Sequence, residues 1–411
     1  MKKGIFLSII LSVSSVTGFS QDNGQVWDIA MRQFESGQYA KAIEGFRQFA
    51  IRVPNEPSAP YNMGLSFFYL EQYDNAITSF TQALKLRPIW AEAEYYLGKS
   101  LYRSKQYADA AMHLKQSVKL KPFNSDAYVY LGNAEDYLGH YEAAIAAYSR
   151  AGELAPQNAQ IFYEIGVAHD RAKNRSAAII AYERCVRLDP AYTSAYYNLA
   201  RDYLNLNRAD DAVIMFQKAI QTGHDTGEAQ LELGKLFNSK ERYADAVPVL
   251  EQAVRLRPNH FPSRLQLGIA YNGTDKYSQA FEMLNEAVRL DPASAEANLF
   301  LGNAHFNSGR YPEAIASYRE AVRLSPKWES AQIYLGDAYR NNRQYALAIA
   351  AYKMTLASDP KNAAAIYGLG QTFVAQKNLA AAREQKTRLD TLNPELASKL
   401  EAKMAPKEKN R

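Results

Sequence analysis

Apolar and polar positions follow helical spacing along nearly the whole chain. In residues 91–124 the apolar set is Tyr95, Leu97 and Leu101, then Tyr107, Ala110, Ala111, Leu114 and Val118. Spacings of three and four residues predict two amphipathic helices joined by a turn, a helix–turn–helix hairpin. The same hairpin pattern returns every 34 residues. Prolines mark the period: Pro54, Pro88, Pro122, Pro156, Pro190, Pro258, Pro292, Pro326, Pro360 and Pro394, with His224 in the one vacant place. A fixed period of this length predicts a solenoid of stacked helical units rather than one globular core.

Other residues keep the same register. Glycine stands 24 places before the proline at Gly64, Gly98, Gly132, Gly166, Gly234, Gly268, Gly302, Gly336 and Gly370, with Ala30 and Ala200 as exceptions. Alanine stands 12 places before it throughout, from Ala42, Ala76 and Ala110 to Ala348 and Ala382. Tyrosine is usual 15 places before it, as in Tyr39, Tyr73 and Tyr107, and a ring or leucine eight before it, as in Phe80, Leu114 and Tyr148. Small residues are expected where two helix backbones cross closely, with the aromatics filling the space beside them. The proline is expected to stop the second helix and redirect the chain.

This register resembles that of the tetratricopeptide repeat (TPR) family; residues 91–122, AEAEYYLGKSLYRSKQYADAAMHLKQSVKLKP, follow its consensus almost throughout. The resemblance spans 23–396 and implies an all-α, right-handed superhelical solenoid of about eleven repeats. These are 23–56, 57–90, 91–124, 125–158, 159–192, 193–226, 227–260, 261–294, 295–328, 329–362 and 363–396. The last repeat departs from the pattern at Leu379 and Lys386. A further segment follows it, with Asn393 as N-cap and Leu396, Leu400 and Met404 four apart, which predicts a helix covering the end of the stack. Residues 397–411 are the end of that capping helix and a basic tail with Lys399, Lys403, Lys407, Lys409 and Arg411.

Residues 1–20 are of another kind. Lys2 and Lys3 precede a short apolar run, Ile5 to Val13, and Gly18 and Ser20 are spaced for cleavage before Gln21. This reads as a secretory signal peptide and places the mature protein in the periplasm or outside the cell, with no transmembrane segment after cleavage. Cys185 is the only cysteine, at a position that other repeats fill with alanine, and reads as a core residue. The formal charge is +5, two units of which come from Lys2 and Lys3, which is too weak to indicate a nucleic-acid partner.

No phosphate-cradling loop, metal-ligand cluster or nucleophile motif is present, so no enzyme activity, cofactor or metal is expected. His169 and His305 occupy a slot that other repeats fill with Phe67, Tyr203 or Phe237, and read as core packing. The remaining candidate is the inner groove, which in the TPR family is lined by the first helix of each repeat. Carrying those positions over gives Tyr61, Phe68, Tyr95, Lys99, Tyr102, Arg103, Asn133, Tyr137, Tyr163, Tyr197 and Arg201 as partner-binding residues. In the C-terminal half the same positions hold Leu231, Leu265, Leu299, Asn272, Asn303 and Asn307, an aliphatic and amide-lined surface. The repeat 193–226 carries Ala200 for glycine, Ala209 for tyrosine and His224 for proline, which predicts a flexible joint between 57–192 and 227–362. The expected function is a non-catalytic scaffold that binds a protein or extended peptide in the cell envelope. The alternative is an accessory subunit that positions an envelope enzyme or a secretion or assembly complex.

Overall fold

The structure is a computed structural model and describes residues 20–223 and 227–405. The expected signal segment up to residue 19, His224 and the tail cations Lys407, Lys409 and Arg411 lie outside the described residues. The described residues form 23 α-helices and no strand. They divide into two compact units, one ending at Asp202 and the other beginning at Tyr203.

The first unit contains α1 (Gln21–Glu35), α2 (Tyr39–Arg52), α3 (Ser58–Tyr69), α4 (Tyr73–Leu86), α5 (Ala91–Arg103), α6 (Tyr107–Leu120), α7 (Ser125–Tyr137), α8 (Tyr141–Leu154), α9 (Ala159–Arg171) and α10 (Arg175–Leu188). The division falls inside α11 (Thr193–Asn205). The second unit continues with α12 (Ala209–Thr222), α13 (Gly227–Ser239), α14 (Tyr243–Leu256), α15 (Phe261–Gly273), α16 (Tyr277–Leu290), α17 (Ala295–Asn307) and α18 (Tyr311–Leu324). It ends with α19 (Glu329–Asn341), α20 (Tyr345–Ser358), α21 (Ala363–Ala375), α22 (Leu379–Leu392) and α23 (Pro394–Met404). Odd and even helices pair as the hairpins that the 34-residue period predicts, from α1 to α10 and from α13 to α22.

Two features of the period turn out to be one contact. A β-carbon on Gly132 would lie 2.6 Å from the Tyr148 ring, and one on Gly64 would lie 2.7 Å from Phe80. From Gly64 to Gly336 the register glycine of a first helix is therefore a seat for the ring or leucine of its own second helix, 16 residues on. The nearest atoms are side-chain atoms, and at Gly98 the Ala110 carbonyl oxygen of the neighbouring helix also lies 3.2 Å from the added carbon. The eleven register alanines, Ala42 to Ala382, are all without solvent exposure.

The prolines act one residue upstream. Each lies two places beyond a helix end, and the residue before it is extended, as at Arg87 (φ −137°, ψ 88°) and Lys121 (φ −137°, ψ 83°). Clash with the proline ring keeps that residue out of the helical region. Yet α12, which has no proline at 224, stops at the same register, before an extended Gly223. The turn inside every hairpin uses a left-handed residue. Positive φ occurs at 37, 71, 105, 139 and so on to 377, one per repeat, and only Gly37, Gly139 and Gly309 are glycines there.

The last repeat places Lys386 where others have a ring. The seat at Gly370 is filled instead by Leu400 of α23. Leu400 and Ala397 complete an apolar cluster with Ile366 and Leu389. Asn393 caps α23, its Oδ1 accepting from the Leu396 N–H at 3.1 Å. Cys185 is fully buried, and burial pushes its thiol up to about 12.

Candidate first-helix interface in the first unit

Rings from α3, α5 and α7 form one connected layer. Tyr61 stacks on Trp90 (4.3 Å) and meets Tyr96 edge-on (6.3 Å). Tyr96 touches Phe68 (5.9 Å) and Tyr95 (5.0 Å), and Tyr95 reaches Tyr130 (6.2 Å). Tyr130 meets Tyr102 (5.6 Å), which meets Tyr137 (5.9 Å), and Tyr137 lies flat on Tyr107 at 4.5 Å. These are the offset and edge-on distances at which ring quadrupoles attract.

Lys99 stands in the middle of this layer. Its Nζ is 4.8 Å from the centre of the Tyr130 ring, 5.3 Å from Phe68, 5.4 Å from Tyr95 and 5.9 Å from Tyr96. It donates a hydrogen bond to the Tyr95 hydroxyl at 3.3 Å. Desolvation pulls its ammonium below the ordinary lysine value, while the charge of Asp126 pulls the other way. The rings thus hold a cation that has lost water and gained π-faces, one phenol and the attraction of Asp126 in exchange. Burial, first of all, pushes the hydroxyls of Tyr61, Tyr95, Tyr96 and Tyr102 above the ordinary tyrosine value.

The predicted residues take unequal places. Tyr61 and Tyr95 are 8% and 7% exposed and support the layer from beneath. Phe68, Lys99 and Tyr102 are half-buried, whereas Arg103 and Tyr137 are exposed, Tyr137 to 60%. Arg103 lies over the Tyr73 ring at 5.1 Å and 3.9 Å from the Glu71 carboxylate. Asn133 has its Oδ1 engaged by the Tyr148 hydroxyl at 2.6 Å. Tyr163 and Tyr197 belong to a separate group. Tyr163 packs on Tyr192 (5.0 Å) and Tyr182 (5.8 Å), and Arg201, exposed, stands 5.9 Å from Tyr197. Carboxylates surround this second group: Asp136 pairs with Arg171, and Asp170 accepts from the Tyr182 hydroxyl at 2.9 Å. The buried Asp202 is raised to about 7 by burial and by neighbouring Asp170. The predicted tyrosine row is thus an aromatic, cationic section on α3–α7 and a more acidic one on α9 and the start of α11.

Tyr96 and Tyr130, two of the four rings around Lys99, were not among the predicted residues. They sit one place after the Tyr61–Tyr95–Tyr163 row, in a row that also holds Asn62, Glu164 and Asn198. The signal was their spacing from Lys99: Tyr96 is three residues earlier on the same helix, on the same face.

In the second unit Leu231, Leu265 and Leu299 are buried at 2–4% exposure and belong to the core, which corrects their reading as groove residues. The amides do share a face. Asn307 donates to Asn272 Oδ1 at 3.3 Å, Tyr318 donates to Asn303 Oδ1 at 2.8 Å, and a cleft of about 260 Å3 opens among them. His169 and His305 are half-buried, and burial lowers both below the ordinary histidine value.

The comparisons with known proteins agree with the period. The sequence matches a tetratricopeptide repeat profile over residues 61–125, 197–261, 265–327 and 335–393. Further TPR profiles match 137–171 and 159–192. No curated protein matches the chain. Among solved structures, MamA is 30% identical over 39% of this chain and 94% of its own, with a TM-score of 0.38. YrrB, described as a TPR protein with an unusual peptide-binding site, is 23% identical over 45% of this chain and 95% of its own, with a TM-score of 0.43. The C-terminal part of a TPR repeat-containing protein from Cytophaga hutchinsonii is 18% identical over 67% of this chain and 99% of its own, with a TM-score of 0.46. With its profile matches covering more than half of its length and its helices paired on the same 34-residue register, the chain belongs to the tetratricopeptide repeat family.

Proposed function

We propose that the chain is a protein-interaction scaffold that grips an extended segment of a partner protein across α3, α5 and α7. Phe68, Tyr102 and Tyr137 offer ring surface to apolar side chains, and Lys99 and Arg103 offer charge to an acidic side chain. The observation that carries this reading is Lys99: an ammonium ringed by four aromatic side chains, with a lowered proton affinity caused by lost hydration. A carboxylate arriving there restores what burial removed, in a setting where water competes weakly. TPR proteins are generally non-catalytic scaffolds, and the chemistry of this face fits that role. The reading of residues 1–20 as a signal peptide supports a partner in the periplasm or outside the cell.

The test is selection of random twelve-residue peptides on the full-length protein and on Lys99→Met. Peptides that pair an acidic residue with aromatic or aliphatic neighbours should be enriched on the wild type and lost on the variant. Enrichment of basic peptides, or of the same peptides on both proteins, contradicts the proposal.

A further inference from the structure

The register has one break that no part of the first-helix interface uses. Four places before each proline, the repeats carry an aliphatic side chain: Leu84, Val118, Val186, Ile220, Val254, Val288, Val322 and Leu356. The exception among these internal repeats is Gly152 on α8. Deleting a branched side chain at a packed register leaves a void unless neighbours collapse into it. Here the collapse is partial. Phe162 leans in, so that a β-carbon on Gly152 would lie 3.3 Å from its ring, yet a cavity of about 460 Å3 remains between α8, α9 and α10. That volume is in the range of small-molecule sites.

The lining is mostly apolar, with few polar groups. Ala181 forms the wall on α10, opposite Gly152, and is small like Ala147 and Ala351 at the same register, so nothing from that wall fills the space that Gly152 leaves. Ile180 extends the apolar lining and is 68% exposed. The guanidinium of Arg184 lies 3.8 Å from the centre of the Phe162 ring. The other charged lining residue, Glu153, is held by Arg150 at 2.5 Å. His169, which also lines the cavity, has an Nδ1 shut off from solvent with no hydrogen-bond partner.

We infer that the cavity beside Gly152 binds a small amphiphilic anion: an apolar body that replaces the missing aliphatic side chain and a single carboxylate or sulfonate that meets Arg184. The site lies between α8, α9 and α10, apart from the Lys99 layer, and stands or falls separately from the proposed peptide interface.

The probes are 1-anilinonaphthalene-8-sulfonate, followed by its fluorescence, with octanoate and octanol as competitors, all on the full-length protein. The expected result is one saturable class of sites, with octanoate displacing the dye at least tenfold better than octanol. Gly152→Val restores the register residue and should weaken the dye tenfold or more while raising the melting temperature. Ala181→Met fills the cavity from the opposite wall and should do the same if the valine variant folds poorly. Arg184→Gln should erase the advantage of octanoate over octanol, and Lys99→Met should change nothing. The inference is overturned if the wild type binds no dye, if both filling variants fold and bind it unchanged, or if Lys99→Met abolishes binding.

Discussion

The Nζ of Lys99 lies 4.8 Å from the centre of the Tyr130 ring, one helix across from it. Such a contact contributes roughly 0.5–2 kcal/mol, depending on how far the pair is desolvated. Tyr130 is therefore expected to hold Lys99 in place by its ring and not by its hydroxyl. Tyr130→Phe should leave peptide binding within about twofold of wild type, and Tyr130→Leu should weaken it by about 1 kcal/mol. Isothermal titration with a selected peptide reads both; equal losses in the two variants would mean that the hydroxyl matters instead.

The glycine seats predict local damage. Gly132→Leu drives a side chain into Tyr148, whose ring would be 2.6 Å from the first added carbon. Overpacking of this kind costs on the order of 2–3 kcal/mol. Because repeats touch mainly their neighbours, hydrogen exchange should rise in α5–α10 and change little in the second unit. Uniform loosening through both units would contradict that coupling.

The hairpin turns predict a gain. Lys173 is held at φ 62°, a left-handed conformation that its side chain disfavours. Lys173→Gly should stabilise the protein by about 0.5–1 kcal/mol, the steric relief exceeding the extra chain entropy of glycine. Urea denaturation gives the sign directly, and a loss of stability would show that the turn depends on the lysine side chain.

These turns also mark how far the sequence could be read. The hairpins were legible because their contacts join residues of low freedom, such as Gly132 with Tyr148 and Gly64 with Phe80, which leave a strict register. The left-handed position was not legible, since eight of its eleven occupants are not glycine and most of them, among them Glu71, Lys105 and Lys173, are residues that usually avoid it. Tyr96 and Tyr130, two of the rings around Lys99, were not legible. Tyr95 and Tyr96 are adjacent in sequence but about 100° apart around a helix, and only packing shows that both rings reach Lys99. In the second unit Leu231, Leu265 and Leu299 share the register of the half-buried Tyr163 and Tyr197 and disappear into the core. A position that is buried in one repeat and half-exposed in another cannot be told apart by period alone.

The terminal helix predicts dependence of the last repeat on Leu400. This side chain is fully buried against Gly370 in place of the missing ring. Leu400→Ala should cost about 2–4 kcal/mol and expose α21 and α22 to exchange before the rest of the second unit. Unchanged protection of those helices would show that α23 is dispensable.

The two buried-side histidines predict acid sensitivity with a definite sign. Desolvation lowers His169 and His305 below the ordinary value near 6.5, against the opposing charges of Asp170 and Glu313. Above that ordinary value both states are neutral and no stability is lost. As pH falls through it the unfolded chain takes up protons first, so stability drops until the folded values are reached. The urea midpoint should therefore fall between pH 7.5 and pH 5 in the wild type. It should fall less in His169→Phe/His305→Phe, which carries the residue found at Phe67, Phe237 and Phe373. Parallel losses in the two proteins would assign the acid sensitivity to carboxylates instead.

The most direct measurement is the affinity of one selected acidic peptide for the wild type, Lys99→Arg and Lys99→Met. Circular dichroism should first show the same helix content in all three. Removing the ammonium while keeping a side chain of similar length should cost about 2 kcal/mol of binding or more, since interface energy concentrates in a few desolvated anchors. Lys99→Arg should retain most of the affinity, and the loss in Lys99→Met should shrink as salt is raised. Equal affinities for the wild type and Lys99→Met at low salt would show that the partner does not bind through Lys99, and the proposed interface would be wrong.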